Sequence, residues 1–412
     1  MAASSATVGS RPGPRLPRAL RRVAGGFAVP LGSVIFAFIV GALLVAITGG
    51  DPLQAYSGLL CGGLGIACAN GENSALQIST TIVYFTPLIM AGVAVALPFR
   101  AGLFNIGAEG QFLAGAVACT FIGVKFSNLP APILLPMVLL GGMVGGAIWA
   151  GIPGVLKATV GAHEVVTTIM LNYVAQWLIR YLIVGGPLQL PHGFSVSSPI
   201  GAGARLPSFL PNDNSLIIFG LPAGVYRVHT GLLIAIAALA VFAILLWRTS
   251  LGYEIRAVGQ SQRAARYAGI SVPRTIIVTM LISGAFAGLA GAIQIAGVDH
   301  NLTDKYFNDT TGFDAIAVAL LGLGSAVGIL LASILFGALH AGGAVMQQDA
   351  GISSSLVQVL QALILFSIAA NFLRVLRARF PSFGRRPSAP APEAPAAALM
   401  TEAAKAPPEE SP

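Results

Sequence analysis

The sequence predicts an all-α integral membrane protein with about ten transmembrane helices, some broken or half-length, and with both termini in the cytosol. Of its 412 residues, 55% are hydrophobic and only 9% are charged, whereas a soluble domain carries about 25% charged residues. Apolar runs long enough to span a bilayer recur along the chain, and Arg and Lys cluster between them. The net charge is +8, and the basic residues lie beside apolar spans with few aromatic neighbours. This distribution indicates positive-inside topology rather than nucleic-acid binding.

Three regions are predicted along the chain. A basic cytosolic tail, 1–26, precedes a transmembrane domain, 27–376, and a Pro- and Ala-rich cytosolic tail, 377–412, is expected to be disordered. The apolar segments are 27–48, 81–99, 111–124, 131–156, 165–184, 230–247, 275–297, 313–323, 328–346 and 356–376. Segment 313–323 is too short to cross a bilayer of about 30 Å, so we expect a half-length or strongly tilted helix there.

The longer polar segments, 51–80, 185–228 and 298–311, are predicted to be loops outside the cytoplasm. The first of them carries Cys61 and Cys68. Outside the reducing cytosol these two residues form either a local disulfide or two free thiols, and the sequence does not decide between them.

The distribution of basic residues tests this topology. Eighteen of the 23 Lys and Arg residues fall on the side that carries both termini, and five fall on the opposite side. Those five are Lys125, Arg180, Arg205, Arg227 and Lys305. Because Lys and Arg are enriched in cytoplasmic loops, the imbalance predicts that both termini are cytosolic.

Polar side chains at membrane depth are the candidate substrate-pathway residues. Segment 99–112 reads FRAGLFNIGAEGQF, and its glycines interrupt the helical pattern around Asn105, Glu109 and Gln111. Broken backbone is tolerated within a membrane only where protein or a water-filled cavity surrounds it, and freed amides there can bind polar ligand groups. The alternative is a cytosolic turn after the second span, in which Glu109 is solvated or caps the next helix.

Three further polar residues lie in apolar segments. Asn172 either lines the pathway or forms hydrogen bonds between helices. Placing an ionised carboxylate at the bilayer centre costs about 2.5–3.5 kcal/mol, so Asp314 is expected to have a specific role. It is either the N-cap of the short helix or a group that faces the pathway. His340, alone in an apolar span, is expected to be a hydrogen-bonded interior residue rather than a ligand.

The basic loop 248–274 lies between two predicted spans and is expected in the cytosol. Within it, residues 261–268 predict a short helix with Ser261 as its N-cap and Gly269 as its stop. The helix offers a surface of small and basic side chains suited to docking in a groove of another protein: Arg263, Ala264, Ala265, Arg266 and Ala268. The alternative is that its arginines are ordinary cytosolic anchors of the neighbouring spans.

The sequence contains no recognisable catalytic or metal-binding constellation. No Lys follows a Gly, so a Walker A loop is absent, and no metal-ligand cluster or nucleophile–base pair is evident. We therefore expect no enzymatic activity, no bound cofactor and no bound metal in this chain.

Five blocks of sequence, in order, resemble one family. They are FRAGLFNIGAEGQFLAGA (99–116), HEVVTTIMLNYVA (163–175), GQSQRAARYAGI (259–270), SGAFAGLAGA (283–292) and GFDAIAVALLG (312–322). Together they are similar to permease subunits of ATP-binding-cassette (ABC) importers for nucleosides and simple sugars, within the branched-chain-amino-acid/ribose-type permeases. FNIGAEGQ most resembles the nucleoside branch.

The resemblance implies a multi-pass subunit of the bacterial plasma membrane that forms half of a translocation pathway. It also implies three partners: a separate duplicated ATPase that binds ATP and Mg²⁺, a second related permease, and an extracytoplasmic lipoprotein that delivers the substrate. Residues 261–268 match the position of the family's coupling helix. The alternatives left open are an importer of simple sugars, an ion-coupled secondary transporter, and a passive channel or structural subunit.

Overall fold

The computed structural model describes residues 18–66, 68, 73–191, 194–210, 216–308 and 310–369. The predicted tail 377–412, most of the tail 1–26 and the end of the last predicted span lie outside the described residues. The described chain is mostly helical and forms a membrane domain. Six of its helices are long and apolar enough to cross a bilayer.

The structure contains thirteen α-helices within the described part of the chain. They are α1 (Arg18–Ile47), α2 (Pro52–Leu64), α3 (Ser74–Arg100), α4 (Ala108–Lys125), α5 (Ala131–Val160), α6 (Glu164–Ile183), α7 (Gly231–Arg248), α8 (Ser250–Gln260), α9 (Gln262–Tyr267), α10 (Val272–Gln294), α11 (Thr311–Leu321), α12 (Ala326–Ala350) and α13 (Ser355–Ala369). A π-helical turn, Ile295–Asp299, continues α10.

Each predicted apolar segment coincides with a helix, although several helices are longer than predicted. Helix α1 begins at Arg18, inside the predicted tail, and α12 extends past its predicted end to Ala350. Segment 313–323 is the eleven-residue helix α11, which confirms that it is half-length. The hydropathy of the sequence therefore located these helices, because a helix that crosses a bilayer needs a long apolar segment.

The prediction that 51–80 is a loop was wrong. Asp51 caps α2 through its side chain, and Pro52 follows at a position that tolerates a missing amide. Helix α2 packs against α12, and a Cβ at Gly62 would lie 2.8 Å from the Cα of Gly342. Its glycines had suggested a loop, yet here they permit two helices to approach closely.

The two outer cysteines are bonded to each other. Cys61 lies in the last turn of α2, and its partner Cys68 follows seven residues later. The bond resolves the two alternatives that the sequence left open. A disulfide here agrees with the predicted location of this segment outside the reducing cytosol.

Helices α5 and α10 share a seam of glycines. A Cβ placed on Gly146 would lie 2.2 Å from the carbonyl oxygen of Gly284, and one on Gly288 equally close to that of Gly142. No side chain can enter such a contact, so the two backbones touch directly. The seam holds these two long helices together as one unit.

The segment between α6 and α7 contains little regular structure. Its described residues form two single 3₁₀ turns, Ala202–Ala204 and Ala223–Val225, and a two-residue antiparallel ladder, Ile217–Ile218 with Leu221–Pro222. Backbone bonds tie it to the turn after α10, including Ser197 N–H to Leu302 O at 2.8 Å. The segment covers the end of the helical domain at which α10 finishes.

Candidate functional site

The break between α3 and α4 is held by a pair of side-chain amides. The chain turns at Gly102, whose φ is +72°, and runs irregularly until α4 begins at Ala108. The Asn105 amide donates to Gln111 Oε1 and accepts from Gln111 Nε2, both at 3.0 Å. Asn105 also donates to Ser283 Oγ at 2.9 Å. Ser283 is the middle residue of α10, so the break lies at mid-helix depth.

Asn172 holds the same break from α6. Its carbonyl oxygen accepts from Gly110 N–H at 2.9 Å, and its amide nitrogen donates to Ile106 O at 2.9 Å. Both bonds satisfy backbone groups that the broken helix would leave without partners. Asn172 therefore connects α6 to the first turn of α4.

Glu109 connects the beginnings of two helices. It lies in the first turn of α4, is fully buried, and accepts the Gly312 N–H of α11 at 2.6 Å. A Cβ on Gly312 would lie 2.2 Å from the Glu109 nitrogen, so only glycine allows this approach. The carboxylate thus lies at the positive ends of both helix dipoles, where negative charge is stabilised.

Asn105, Glu109, Gln111 and Asn172 form what we call the polar junction. The structure brings together these four predicted residues, and their described bonds run to one another, to backbone groups and to the Ser283 hydroxyl. Their assignment to the substrate pathway remains a prediction. The arrangement itself holds two broken helices in register inside an apolar domain.

Asp314, the fifth predicted pathway residue, lies in the first turn of α11 and pairs with a histidine. Its carboxylate is 2.8 Å from His340 Nε2 of α12. His340 in turn stacks on Tyr84 of α3, with ring centroids 5.6 Å apart and planes 15° apart. The expected interior partner of His340 is therefore Asp314, and the pair links α11, α12 and α3.

Tyr84 lines two adjoining cavities that we call the polar cleft, and His340, which stacks on Tyr84, lines the smaller one. The cavities, of about 290 and 590 Å³, share Tyr84, Gln294 and Lys305 in their walls. Hydroxyl and charged groups complete the lining: Ser79, Thr80, Asp299, Thr310 and Thr311. The cleft runs from the first turns of α3 to the middle of α12.

Asp299 fixes the polar side of this cleft. Its carboxylate accepts from Gln294 Nε2 at 3.0 Å, from the Lys305 ammonium and from the Tyr306 hydroxyl. The π-helical turn that continues α10 places Asp299 beside Lys305, and half of the Lys305 side chain remains exposed. Sequence reasoning missed Tyr84, Gln294, Asp299 and Lys305, because three of them lie at the ends of elements where no periodic signal distinguishes them.

The short helix predicted at 261–268 exists as α9, and its role in coupling remains a prediction. Ser261 caps it by accepting from Ala264 N–H at 3.3 Å, and Gly269 follows with φ +80°. One detail of the predicted surface was wrong: Ala265 is buried, because it turns inward against the rest of the loop. The exposed members are Ser261, Arg263, Ala264, Arg266 and Ala268, to which the structure adds the almost fully exposed Tyr267.

Helix α8, which the sequence did not predict, connects α9 to the membrane domain. A Cβ on its Gly259 would lie 2.1 Å from the carbonyl oxygen of Arg100, at the end of α3. The Arg100 guanidinium donates to Leu323 O and Gly324 O, at 3.0 and 2.9 Å, in the turn between α11 and α12. The loop, α3 and the α11–α12 turn therefore meet at one point.

Comparison with known proteins decides the family. Residues 77–369 match the family described as branched-chain amino acid transport system / permease component. The chain belongs to this permease family. It is accordingly a multi-pass permease of an ABC transporter in the plasma membrane.

Individual permeases are similar in sequence to this chain over most of their length. The chain is 38% identical to the glucose ABC transporter permease protein TsgB13 of Haloferax volcanii, over 87% of this chain and 91% of the relative. It is also 38% identical to the guanosine ABC transporter permease protein NupP of Bacillus subtilis, over 84% and 93%. The nucleoside ABC transporter permease protein NupB of Lactococcus lactis is 37% identical, over 84% and 91%. No solved structure matches the chain.

We expect Glu109→Ala to destabilise this permease by about 1–3 kcal/mol, because the substitution leaves the buried Gly312 N–H without its acceptor. Glu109→Gln keeps an acceptor oxygen and should recover a large part of the loss. Thermal unfolding of the purified variants in detergent measures both effects. An alanine variant as stable as the wild type would show that the junction does not depend on this bond.

Proposed function

We propose that this permease imports nucleosides. The single observation that carries the proposal is the polar cleft, whose wall combines the stacked Tyr84–His340 pair with hydrogen-bonding groups. A nucleoside has an uncharged aromatic base and a polyhydroxylated ribose. The cleft offers both chemistries, since aromatic rings stack on a base at about 0.5–1.5 kcal/mol per pair and amide or hydroxyl groups bind the sugar.

Tyr84 is placed to receive the base. Nearly half of its surface is exposed, while His340 lies against it and is oriented by Asp314. Gln294, Lys305 and Thr310 then stand within the same cavities as partners for ribose hydroxyls. The names of NupP and NupB support this substrate class, and that of TsgB13 supports the alternative of a simple sugar.

Tyr84→Ala should reduce nucleoside uptake by about two- to tenfold, since loss of stacking costs about 0.5–1.5 kcal/mol. Tyr84→Phe should retain most uptake, and Tyr181→Ala, which removes an exposed ring of α6, serves as the matched control. Uptake of labelled guanosine by cells, with excess glucose as competitor, measures the effect. Competition by glucose together with an inert Tyr84→Ala would favour the sugar alternative.

The energy for import would come from a partner. We assign ATP and Mg²⁺ binding to a separate duplicated ATPase, which would contact the exposed side of α9: Arg263, Arg266 and Tyr267. Movement there would reach the membrane domain through Gly259 and Arg100, which meet at the end of α3. Arg100 also holds the α11–α12 turn, so the same contact would act on the helix that carries Asp314.

Reversing charge on α9 should uncouple the transporter. We expect Arg263→Glu together with Arg266→Glu to abolish uptake and substrate-stimulated ATPase activity in the assembled complex, because both side chains are exposed and the fold does not need them. Lys125→Glu, an exposed change at the far end of α4, is the control. Uptake that persists in the double variant, or that stops when the membrane potential is collapsed at constant ATP, would favour an ion-coupled transporter instead.

We further propose ten membrane segments with both termini in the cytosol, a second related permease completing the pathway, and an extracytoplasmic lipoprotein that delivers the nucleoside. The basic-residue asymmetry and the Cys61–Cys68 disulfide support this orientation. The polar cleft would then open toward the outside, between the first turns of α3 and the segment before α7.

Cysteine labelling tests the orientation. Arg263→Cys should react with a membrane-impermeant maleimide only after the cells are permeabilised, whereas Arg205→Cys should react in intact cells. Both residues are exposed, and the proposed topology places them on opposite sides of the membrane. The native thiols do not interfere: Cys119 is buried, and the other two are bonded. Labelling of Arg263→Cys in intact cells would contradict both the topology and the proposed contact with an ATPase.

A further inference from the structure

A second cavity lies beside the polar cleft and takes no part in the function proposed above. It encloses about 400 Å³ between the segment before α7 and the end of α10. Four nitrogen-bearing side chains line it: Arg205, Arg227, His229 and His300. Arg227 also lines the polar cleft, so the two cavities adjoin.

His229 is built into the wall of this cavity. Its ring is 97% buried and lies against Gly231 and Gly297, where any Cβ would approach ring atoms to 2.5–2.6 Å. Its Nδ1 accepts the Gly231 N–H at 3.1 Å, which places the hydrogen of the neutral ring on Nε2. Within the described residues Nε2 has no hydrogen-bond partner, and neither has Nδ1 of His300. Two buried donors or acceptors without partners are costly unless a ligand satisfies them.

Positive charge in the cavity has no counter-charge. Neither Arg205 nor Arg227 forms a salt bridge with any described carboxylate, and the nearby Asp299 is paired with Lys305. Burial, followed by the charge of Arg205, lowers the pKa of His300. Burial and then His300 lower the pKa of His229 to about 4. Both imidazoles are thus kept neutral by a site that already carries two cations.

We propose that this cavity binds a phosphate group. Guanidinium groups pair with phosphate through parallel charge-assisted hydrogen bonds, and imidazole N–H groups add further donors. A doubly charged anion matches two guanidinium groups, whereas one carboxylate would leave a cation uncompensated. The volume accommodates inorganic phosphate or the phosphate of a larger molecule such as a nucleotide.

Binding of the dianion favours protonation of His229 and His300. A nearby negative charge raises the pKa of an imidazole, so the bound state takes up protons and affinity increases as the pH falls. Arg205, Arg227, Asp299 and the two histidines are the charged and titratable groups that face the cavity. The Asp299 carboxylate raises the pKa of His300 only slightly against the larger lowering effects of burial and Arg205.

Calorimetric titration of the purified full-length permease tests the proposal. Inorganic phosphate should bind saturably at millimolar concentration or below, and acetate at equal ionic strength should not. Arg205→Gln and Arg227→Gln should each weaken phosphate binding by about tenfold, the loss of one charge-assisted contact. Lys125→Gln, an exposed cation elsewhere in the chain, should leave binding unchanged. All three side chains are exposed, so we expect the substitutions to leave the fold intact. An unaltered unfolding temperature will show that each variant is folded.

Two further measurements identify the source of the phosphate and the role of the imidazoles. A nucleoside monophosphate that binds about tenfold more tightly than inorganic phosphate indicates a nucleotide ligand, and equal affinity indicates free phosphate. Sulfate keeps its double charge between about pH 8 and pH 6, so its affinity should rise over that range in the wild type and less in His300→Gln. No saturable phosphate binding, binding that survives both arginine substitutions, or equal affinity for acetate would overturn the proposal. The last result would indicate a contact for protein carboxylates instead.

Discussion

The polar junction depends on one bond, from the Gly312 amide of α11 to the Glu109 carboxylate of α4. Two helices begin inside an apolar domain, and each start leaves backbone N–H groups without helical partners. Water cannot satisfy them at that depth. A buried negative charge between the two starts offsets both dipoles, and amides from Asn105 and Asn172 satisfy the backbone around it. That set of contacts therefore stabilises the beginnings of both α4 and α11 inside the domain.

This arrangement joins the membrane interior to the basic loop through few contacts. Helix α3 carries Tyr84 of the polar cleft near one end and Arg100 at the other. Arg100 lies against Gly259 of α8 and holds the turn that joins α11 to α12. The first turn of α11 donates the Gly312 N–H to Glu109, and Asp314 of the same turn orients His340 in the cleft. A continuous series of packing contacts and hydrogen bonds therefore connects the loop to the cleft.

Sequence alone located the spans and the short helix at 261–268, because both are local properties: apolar length, an N-cap and a glycine stop. It also identified the residues of the polar junction, since a carboxylate among glycines in an apolar segment is conspicuous. Contacts between distant segments could not be read in this way. Helix α2 was missed because its glycines serve contacts with α12 rather than a turn, and Ala265 was placed on the wrong face of α9. The polar cleft assembles from α3, α10 and α12, and only the folded chain brings these together.

The glycine seam between α5 and α10 divides the domain into parts of unequal stiffness. Two backbones in direct contact, with no side chain between them, have no soft layer across which to slide or tilt. Helix α4 belongs to the stiff part, because a Cβ on Gly291 of α10 would lie 2.1 Å from the carbonyl oxygen of Phe112. We therefore expect α4, α5 and α10 to move as one rigid body whenever the transporter changes conformation.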